Sequence, residues 1–259
     1  MAVGALGKDM SKLSVLGVIP ARYKSTRFEG KPLVAINGVP MIKRTYMQAI
    51  KSALLTDVIV ATEDQRIVDY CQAEKIPVMM TSEQCLTGTD RLVEVGTKKD
   101  YDFYINIQGD EPVIDPSVIS QLVTEFQKYG DKYIAYNLYK IIDDQDEINS
   151  QTIIKVIVNQ KDELMYMSRL PIPYSNSDKV SVFKQQIPVY GFTRKALNVF
   201  VQKSKTLNEK FEDIELLRFV DMGYPLKMCE TFADSIAVDV PSDIQKIERF
   251  LAAQNSALD

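Results

Sequence analysis

Short apolar runs alternate with stretches of helical spacing through the first half of the chain, and no other feature narrows its fold as far. Leu13 to Pro20 (LSVLGVIP), Asp57 to Thr62 (DVIVAT), Ile76 to Met80 and Asp102 to Gln108 (DFYINIQ) read as strands. The residues after Pro40 (Met41, Ile42, Tyr46, Ala49, Ile50), Asp64 to Lys75, Arg91 to Lys98 and Pro116 to Lys128 read as helices. Strands separated by helices of about 10–15 residues call for a mostly parallel sheet covered on both faces. Ligands of such sheets bind beyond the carboxyl ends of the strands. The charged loops 21–31 and 109–112 both follow strands, so both belong to that edge.

The alternation changes after residue 130. Lys132 to Ile141, Ile153 to Val158, Glu163 to Arg169 and Gln185 to Phe192 read as strands without helices between them, which predicts a smaller antiparallel lobe over about 132–192. Helices are expected again at Phe211 to Met222 and Pro241 to Ala253, with strands at Leu226 to Thr231 and Ser235 to Val238. Residues 1–12 show no periodicity and read as a mobile extension. No long Gly/Ser/Pro linker divides the rest, so residues 13–255 are expected to form a single domain.

Composition then excludes chemistry. The chain contains no histidine, which removes Ser-His-Asp and Cys-His catalysis, HExxH zinc sites and the usual near-neutral base. Its three cysteines (Cys71, Cys85, Cys229) have no CxxC spacing and read as reduced thiols. A net charge of −4 gives no basic surface for nucleic acid or anionic lipid. The apolar run Val15 to Ala21 is far short of the ~18 residues of a membrane span, and Lys8 and Asp9 interrupt any signal-peptide core. A cytoplasmic enzyme relying on charge stabilisation and alignment, as in phosphate-group transfer, suits these limits.

The loop 21–31 (ARYKSTRFEGK) sets Arg22, Lys24, Arg27 and Lys31 against Glu29, a local excess of positive charge. Following a strand, with Ser25, Thr26 and Gly30 permitting a tight path, it suits a polyphosphate, although the same residues also suit a solvated basic loop. Asp110 and Asp239 each follow an expected strand. Two carboxylates on one edge suit Mg²⁺, which takes one or two carboxylates plus waters and substrate phosphates; alternatively each begins a turn or caps a helix. The acidic residues Glu212, Asp213 and Glu215 are placed in the first turn of a helix, favourable to its dipole.

Residues 19–33 (IPARYKSTRFEGKPL) closely resemble the IPARxxSxRxPGKPL signature of the CMP-Kdo synthetases, the 3-deoxy-manno-octulosonate cytidylyltransferases. Residues 36–42 (INGVPMI), 60–62 (VAT), 87–91 (TGTDR), 106–112 (NIQGDEP), 167–169 (MSR), 190–191 (YG) and 238–243 (VDVPSD) match further motifs in the same order, over about 14–252. Acylneuraminate cytidylyltransferases are wider relatives.

The resemblance implies an α/β, Rossmann-like fold of the nucleotide-diphospho-sugar transferase type. It implies attack by the anomeric hydroxyl of a 2-keto sugar acid on the α-phosphate of CTP, with magnesium, giving a CMP-sugar and pyrophosphate. By the same resemblance Arg22, Ser25, Arg27 and Lys31 correspond to triphosphate positions, and Ala21, Gly88, Thr89 and Arg91 to positions around the cytidine. Asp110 and Asp239 correspond to the magnesium-binding aspartates, and Gln108, Arg169 and Tyr190 to sugar contacts. A sugar-contacting glutamate corresponds to Glu212 or Glu215. The implied assembly is a homodimer through residues 132–192. Two departures stand out: Glu29 replaces the usual proline of the phosphate loop, and Gln186 stands where the family carries a sugar-pocket histidine, four residues before Tyr190. The acceptor expected is therefore Kdo, an amino-modified Kdo or a nonulosonate; a catalytically silent nucleotide-binding homologue is the reading outside enzymes.

Overall fold

The computed structural model describes residues 13–25, 28–174, 182–202, 204–233 and 236–256. In chain order its elements are β1 (Val15–Ala21), β2 (Ala35–Ile36), β3 (Val39–Pro40), α1 (Met41–Ala49), β4 (Asp57–Thr62), α2 (Gln65–Ala73), β5 (Val78–Met80), α3 (Gly88–Lys98) and β6 (Phe103–Ile107). Then come α4 (Pro116–Tyr129), β7 (Ala135–Ile142), α5 (Gln145–Asn149), β8 (Lys155–Val158), β9 (Leu164–Ser168), β10 (Phe183–Thr193), α6 (Arg194–Gln202), α7 (Leu207–Glu212), α8 (Leu217–Asp221), β11 (Leu226–Glu230) and α9 (Asp243–Ser256).

Among the described residues the main sheet has nine strands, in the order β11-β7-β10-β6-β1-β4-β5, with the β8–β9 hairpin attached through β10. β6, β1, β4 and β5 run parallel, as their apolar sequences predict. β1 is buried along its whole length. Its alternation sends Val15 and Ile19 into the layer beneath α1, α2 and α4, and Leu16 and Val18 into the layer beneath α3, α6 and α8. The helices begin where the sequence provides caps. Asp64 accepts from Arg66 N, Thr87 and Asp90 form a capping box, and Asp115 accepts from Ser117 N ahead of Pro116.

The antiparallel region is continuous with this sheet. β10 lies antiparallel between β6 and β7, and β7 pairs in parallel with β11. Of the expected lobe, only the β8–β9 hairpin stands off the main strand path.

Three expectations are corrected. The helix expected at Phe211 to Met222 is two short helices, α7 and α8, because Asp213 takes a left-handed conformation at φ 52°. Glu212 therefore ends a helix, and Glu215 lies in the connection, not in a first turn. The strand expected at Ser235 to Val238 is irregular over its described residues, with Val238 N bonded to the Asp110 carbonyl instead of a ladder partner. One helix was not anticipated: α6 follows β10 directly, where Thr193 Oγ1 accepts from Ala196 N, and Ala196, Leu197 and Phe200 form its buried stripe. None of the described helices is long and apolar enough to cross a membrane.

Candidate active site

The chain runs outward from β1 to β4 and β5, then returns across β1 to β6, so the loops after β1 and β6 diverge on either side of a crevice. A side chain at Gly109 would place its Cβ 2.6 Å from the Pro20 carbonyl oxygen, so only glycine lets the two strand ends approach this closely. Asp110 follows directly. On the other side Gly30, at φ 69°, turns the basic loop back, and its N–H donates to Tyr23 O at 2.9 Å. The return brings Lys31 Nζ to Asp110 Oδ2 at 2.7 Å and to the Val238 carbonyl at 2.8 Å. Val238 N donates to the Asp110 carbonyl at 2.9 Å. Segments 22–31, 108–110 and 237–239, far apart in the chain, are thereby tied at one point.

Two adjoining cavities share Gln108 and Asp110 as their common wall. The first is lined by Ala21, Arg22, Ser25, Lys31, Gly88 and Arg91, with Lys24 beside them. Arg22 is exposed and donates to the Leu86 carbonyl at 3.3 Å. Arg91 is buried: it pairs with Glu63 at 2.7 Å and donates to Thr81 Oγ1 at 2.8 Å, fixing the floor. Thr89 lies behind the wall, where its hydroxyl donates to Glu215. Arg27 lies outside the described residues. Glu29 is exposed and does not line the cavity; its charge acts on Arg66, whose guanidinium sits 3.3 Å over the Tyr23 ring.

The second cavity is lined by Arg169, Tyr190, Glu215 and Asp239, with Thr152, Ile154 and Pro188. A bulge in β10 between Ile187 and Tyr190 interrupts its pairing with β7. Pro188 has no N–H to give a ladder, and Asn137 Nδ2 satisfies the freed carbonyls of Ile187 and Val189 at 2.8 and 2.7 Å. Arg169 is clamped by main-chain carbonyls: Glu212 at 2.7 Å, Gln151 at 3.1 Å and Asp213 at 3.3 Å. The Glu212 carboxylate accepts from Ser168 Oγ at 2.7 Å and Arg169 N at 2.9 Å, so it holds the wall while Glu215 lines the cavity. Burial pushes the Glu215 carboxyl above its usual range, against the hydrogen bonds from Thr89 and Thr87. Burial likewise raises the Tyr190 phenol. Gln186 lines a further recess with Tyr190 and Asp239; it is 5% exposed, and its Nε2 is buried with no hydrogen-bond partner.

Asp110 and Asp239 thus face one cavity. The described residues assemble no group of three or more His, Cys, Asp or Glu for a metal, so two hard oxygen donors are what this edge offers a cation. Sequence reasoning passed over Asn137, Thr152, Ile154, Lys155 and Pro188. Of these, Pro188 inside a strand-like run was the readable sign of a bulge.

A sequence model of the cytidylyltransferase family matches residues 16–232. The chain is 36% identical over 263 residues to an Arabidopsis thaliana protein named 3-deoxy-manno-octulosonate cytidylyltransferase, mitochondrial, covering 98% of this chain and 90% of that one. It is also 36% identical over 245 residues to the 8-amino-3,8-dideoxy-manno-octulosonate cytidylyltransferase of Shewanella piezotolerans, covering 93% and 99%. A solved CMP:2-keto-3-deoxy-manno-octonic acid synthetase complexed with CTP superposes with a TM-score of 0.88 at 34% identity, over 93% of this chain and 99% of that one. With a parallel sheet, a glycine-narrowed crevice and a basic loop closing on Asp110, the chain belongs to the cytidylyltransferase family, among the enzymes that resemble 3-deoxy-manno-octulosonate cytidylyltransferases.

Proposed function

We propose that the protein transfers CMP from CTP to Kdo or a closely related 2-keto-3-deoxy sugar acid, releasing pyrophosphate. One observation carries the reading: Lys31 and the Val238–Asp110 hydrogen bond gather the basic loop, Asp110 and the Asp239 segment where two cavities meet. CTP occupies the cavity of Ala21, Arg22, Ser25, Lys31, Gly88 and Arg91, and the acceptor that of Arg169, Tyr190 and Glu215. The acceptor's anomeric oxygen forms a bond to the α-phosphorus, the bond to the pyrophosphate oxygen breaks, and the hydroxyl proton is released. Arg22 and Lys31 neutralise phosphate oxygens, and Arg169 faces the anionic acceptor. Gln108, on the shared wall, orients the acceptor against the nucleotide. Alignment of this kind contributes on the order of 7–11 kcal/mol in well-oriented model reactions, and it requires no nucleophilic side chain.

Asp110 and Asp239 are the residues that would hold Mg²⁺. The donor set fits: both are hard carboxylates on one cavity, and Asp110 already binds a cationic group, the Lys31 ammonium. Bound there, the ion supplies charge neutralisation for the phosphates and the leaving pyrophosphate.

The acceptor follows the names of the similar proteins, with one feature favouring a modified sugar. Gln186, buried in the recess it shares with Tyr190 and Asp239, replaces the family imidazole with a neutral amide whose oxygen can accept from an amino group. An amino-modified Kdo is the second reading. We infer a homodimer as well, because Ile141, Met165, Leu170 and Val182, between 43% and 61% exposed, place large apolar side chains on the antiparallel region. Three unpaired cysteines suit a reducing compartment, the cytoplasm.

The test is pyrophosphate release from CTP and magnesium with Kdo, 8-amino-Kdo and nonulosonic acids as acceptors. Release with at least one of them is expected. If CTP binds but no acid reacts, the silent-homologue reading stands; if CTP does not bind, the nucleotide site is also misassigned.

A further inference from the structure

Lys155 opens β8 and is completely buried, yet among the described residues no carboxylate bonds its ammonium. Instead Nζ donates to three main-chain carbonyls: Ser150 at 2.7 Å, Ile153 at 2.6 Å and Arg169 at 2.7 Å. These use all three donors of the group. The three carbonyls belong to the two chain segments that carry Thr152, Ile154 and Arg169 into the second cavity. Nothing in the reaction uses Lys155, and a methionine or leucine would fill a core at smaller desolvation penalty.

We propose that Lys155 is a positioning residue of the acceptor cavity, clasping the 150–154 segment to Arg169 so that the cavity exists before the sugar acid arrives. Lys155 and Arg169 act as two stacked clasps. The guanidinium holds the carbonyls of Gln151, Glu212 and Asp213, while the ammonium holds Ser150, Ile153 and the carbonyl of Arg169 itself. Burial and the Arg169 charge both disfavour the Lys155 cation, and the nearby Glu212 carboxylate opposes them. Methionine at 155 leaves the three carbonyls without their shared donor, and glutamine, shorter and with two N–H groups, cannot serve all three. The segment then relaxes at the cavity and not at the nucleotide, whose wall is built from residues 20–22, 24, 25, 31, 32, 41, 88, 91 and 108–110.

The inference rests on the second cavity being the acceptor site, and the experiment separates the two. Lys155→Met and Lys155→Gln are compared with the unaltered protein by CTP calorimetry, by KM for Kdo at saturating CTP, and by amide hydrogen exchange over residues 148–170. Expected are a CTP Kd within twofold, a KM for Kdo raised at least tenfold with kcat changed less, and faster exchange confined to 150–154 and 169–170. Lys155→Arg, which keeps the charge and several donors, should restore part of the KM. Unchanged KM and unchanged exchange in a folded variant overturn the proposal, as does a parallel loss of CTP and Kdo affinity. Failure of both neutral variants to fold makes Lys155 a determinant of the whole fold and also overturns it. If the unaltered protein turns over no sugar acid, the functional reading fails, while hydrogen exchange still decides what Lys155 holds.

Discussion

The two cavities lie side by side and are built in different ways. The side proposed for the nucleotide is lined chiefly by two loops that directly follow neighbouring parallel strands, shaped by Gly109 and Gly30, with Gly88 and Arg91 of α3. The side proposed for the acceptor is made from segments 152–154, 169, 188–190, 213–215 and 237–239, which follow no single strand order. It is held by side chains bonded to backbone: Asn137 across the β10 bulge, Glu212 beneath Arg169, and Lys155 among three carbonyls. A site grown from strand ends inherits its geometry from the sheet. A site gathered from distant loops must be fastened residue by residue, and each fastening is a place where acceptor choice can change without disturbing the nucleotide.

The largest effect expected lies where the two sides join. Asp110→Asn and Asp239→Asn should each reduce turnover roughly 10²–10³-fold or more, because the metal they are proposed to hold would supply charge stabilisation worth several kcal/mol. Melting temperature should move by only a few degrees. The Asp110 contact to Val238 is through its backbone, and asparagine keeps an oxygen for Lys31. Turnover near that of the unaltered protein in both variants would show that the join is structural and that the two cavities act independently.

How much of each side can be read in the sequence follows from the same difference. The strands of the parallel half are local apolar runs, and their loops announce themselves by charge. Motif resemblance also located Arg169, Gln186 and Tyr190, but not what fastens them. Asp213 breaks a helix by adopting positive φ without a glycine to signal it, so one helix was expected where two short ones form. Asn137 and Lys155 lie in strands where an alternating pattern asks only for a side chain of suitable size. Their partners are carbonyls, which no residue type reveals. Which of Glu212 and Glu215 lines the cavity likewise needed the fold, since only the packing shows Glu212 engaged by Ser168 and Arg169.

The acceptor side should be separable from the nucleotide side by one substitution. Gln186→His replaces a neutral amide with an imidazole of different shape that can carry charge near pH 6–7. A shift of kcat/KM toward Kdo and away from amino-modified acceptors by about tenfold or more is expected, with CTP affinity unchanged. If the unaltered protein already prefers Kdo and the variant behaves identically, residue 186 does not select the acceptor.

Glu212→Gln sharpens the contrast between fastening and contact. The amide keeps one acceptor oxygen for two donors, Ser168 Oγ and Arg169 N, so one of them loses a charged partner. A loss of about 1 kcal/mol, or ~2–4 °C in melting temperature, is expected. Acceptor KM should rise with it while CTP affinity holds. An unchanged melting temperature would mean that solvent replaces the contact and that this wall needs no fastening.

The smallest effect is carried by pH. The Glu215 carboxyl titrates above its ordinary 4.5 in the folded protein, chiefly because burial penalises its charged form, with Thr89 and Thr87 opposing the shift. A carboxyl whose folded pKa is raised binds its proton more tightly in the native state. Its protonation therefore stabilises the fold fully below the unfolded value, and that contribution is lost as pH rises through the folded value. Glu215→Gln keeps an oxygen for the Thr89 hydroxyl and resembles the protonated side chain. The variant should accordingly melt higher than the unaltered protein at pH 7–8, and the difference should shrink toward zero as pH falls to about 4. Thermal melts of both proteins between pH 4 and 8 measure this directly. A difference of opposite sign at pH 7, or one independent of pH, would show that the carboxylate is well solvated, and that the acceptor wall at Glu215 is as open to water as the basic loop opposite.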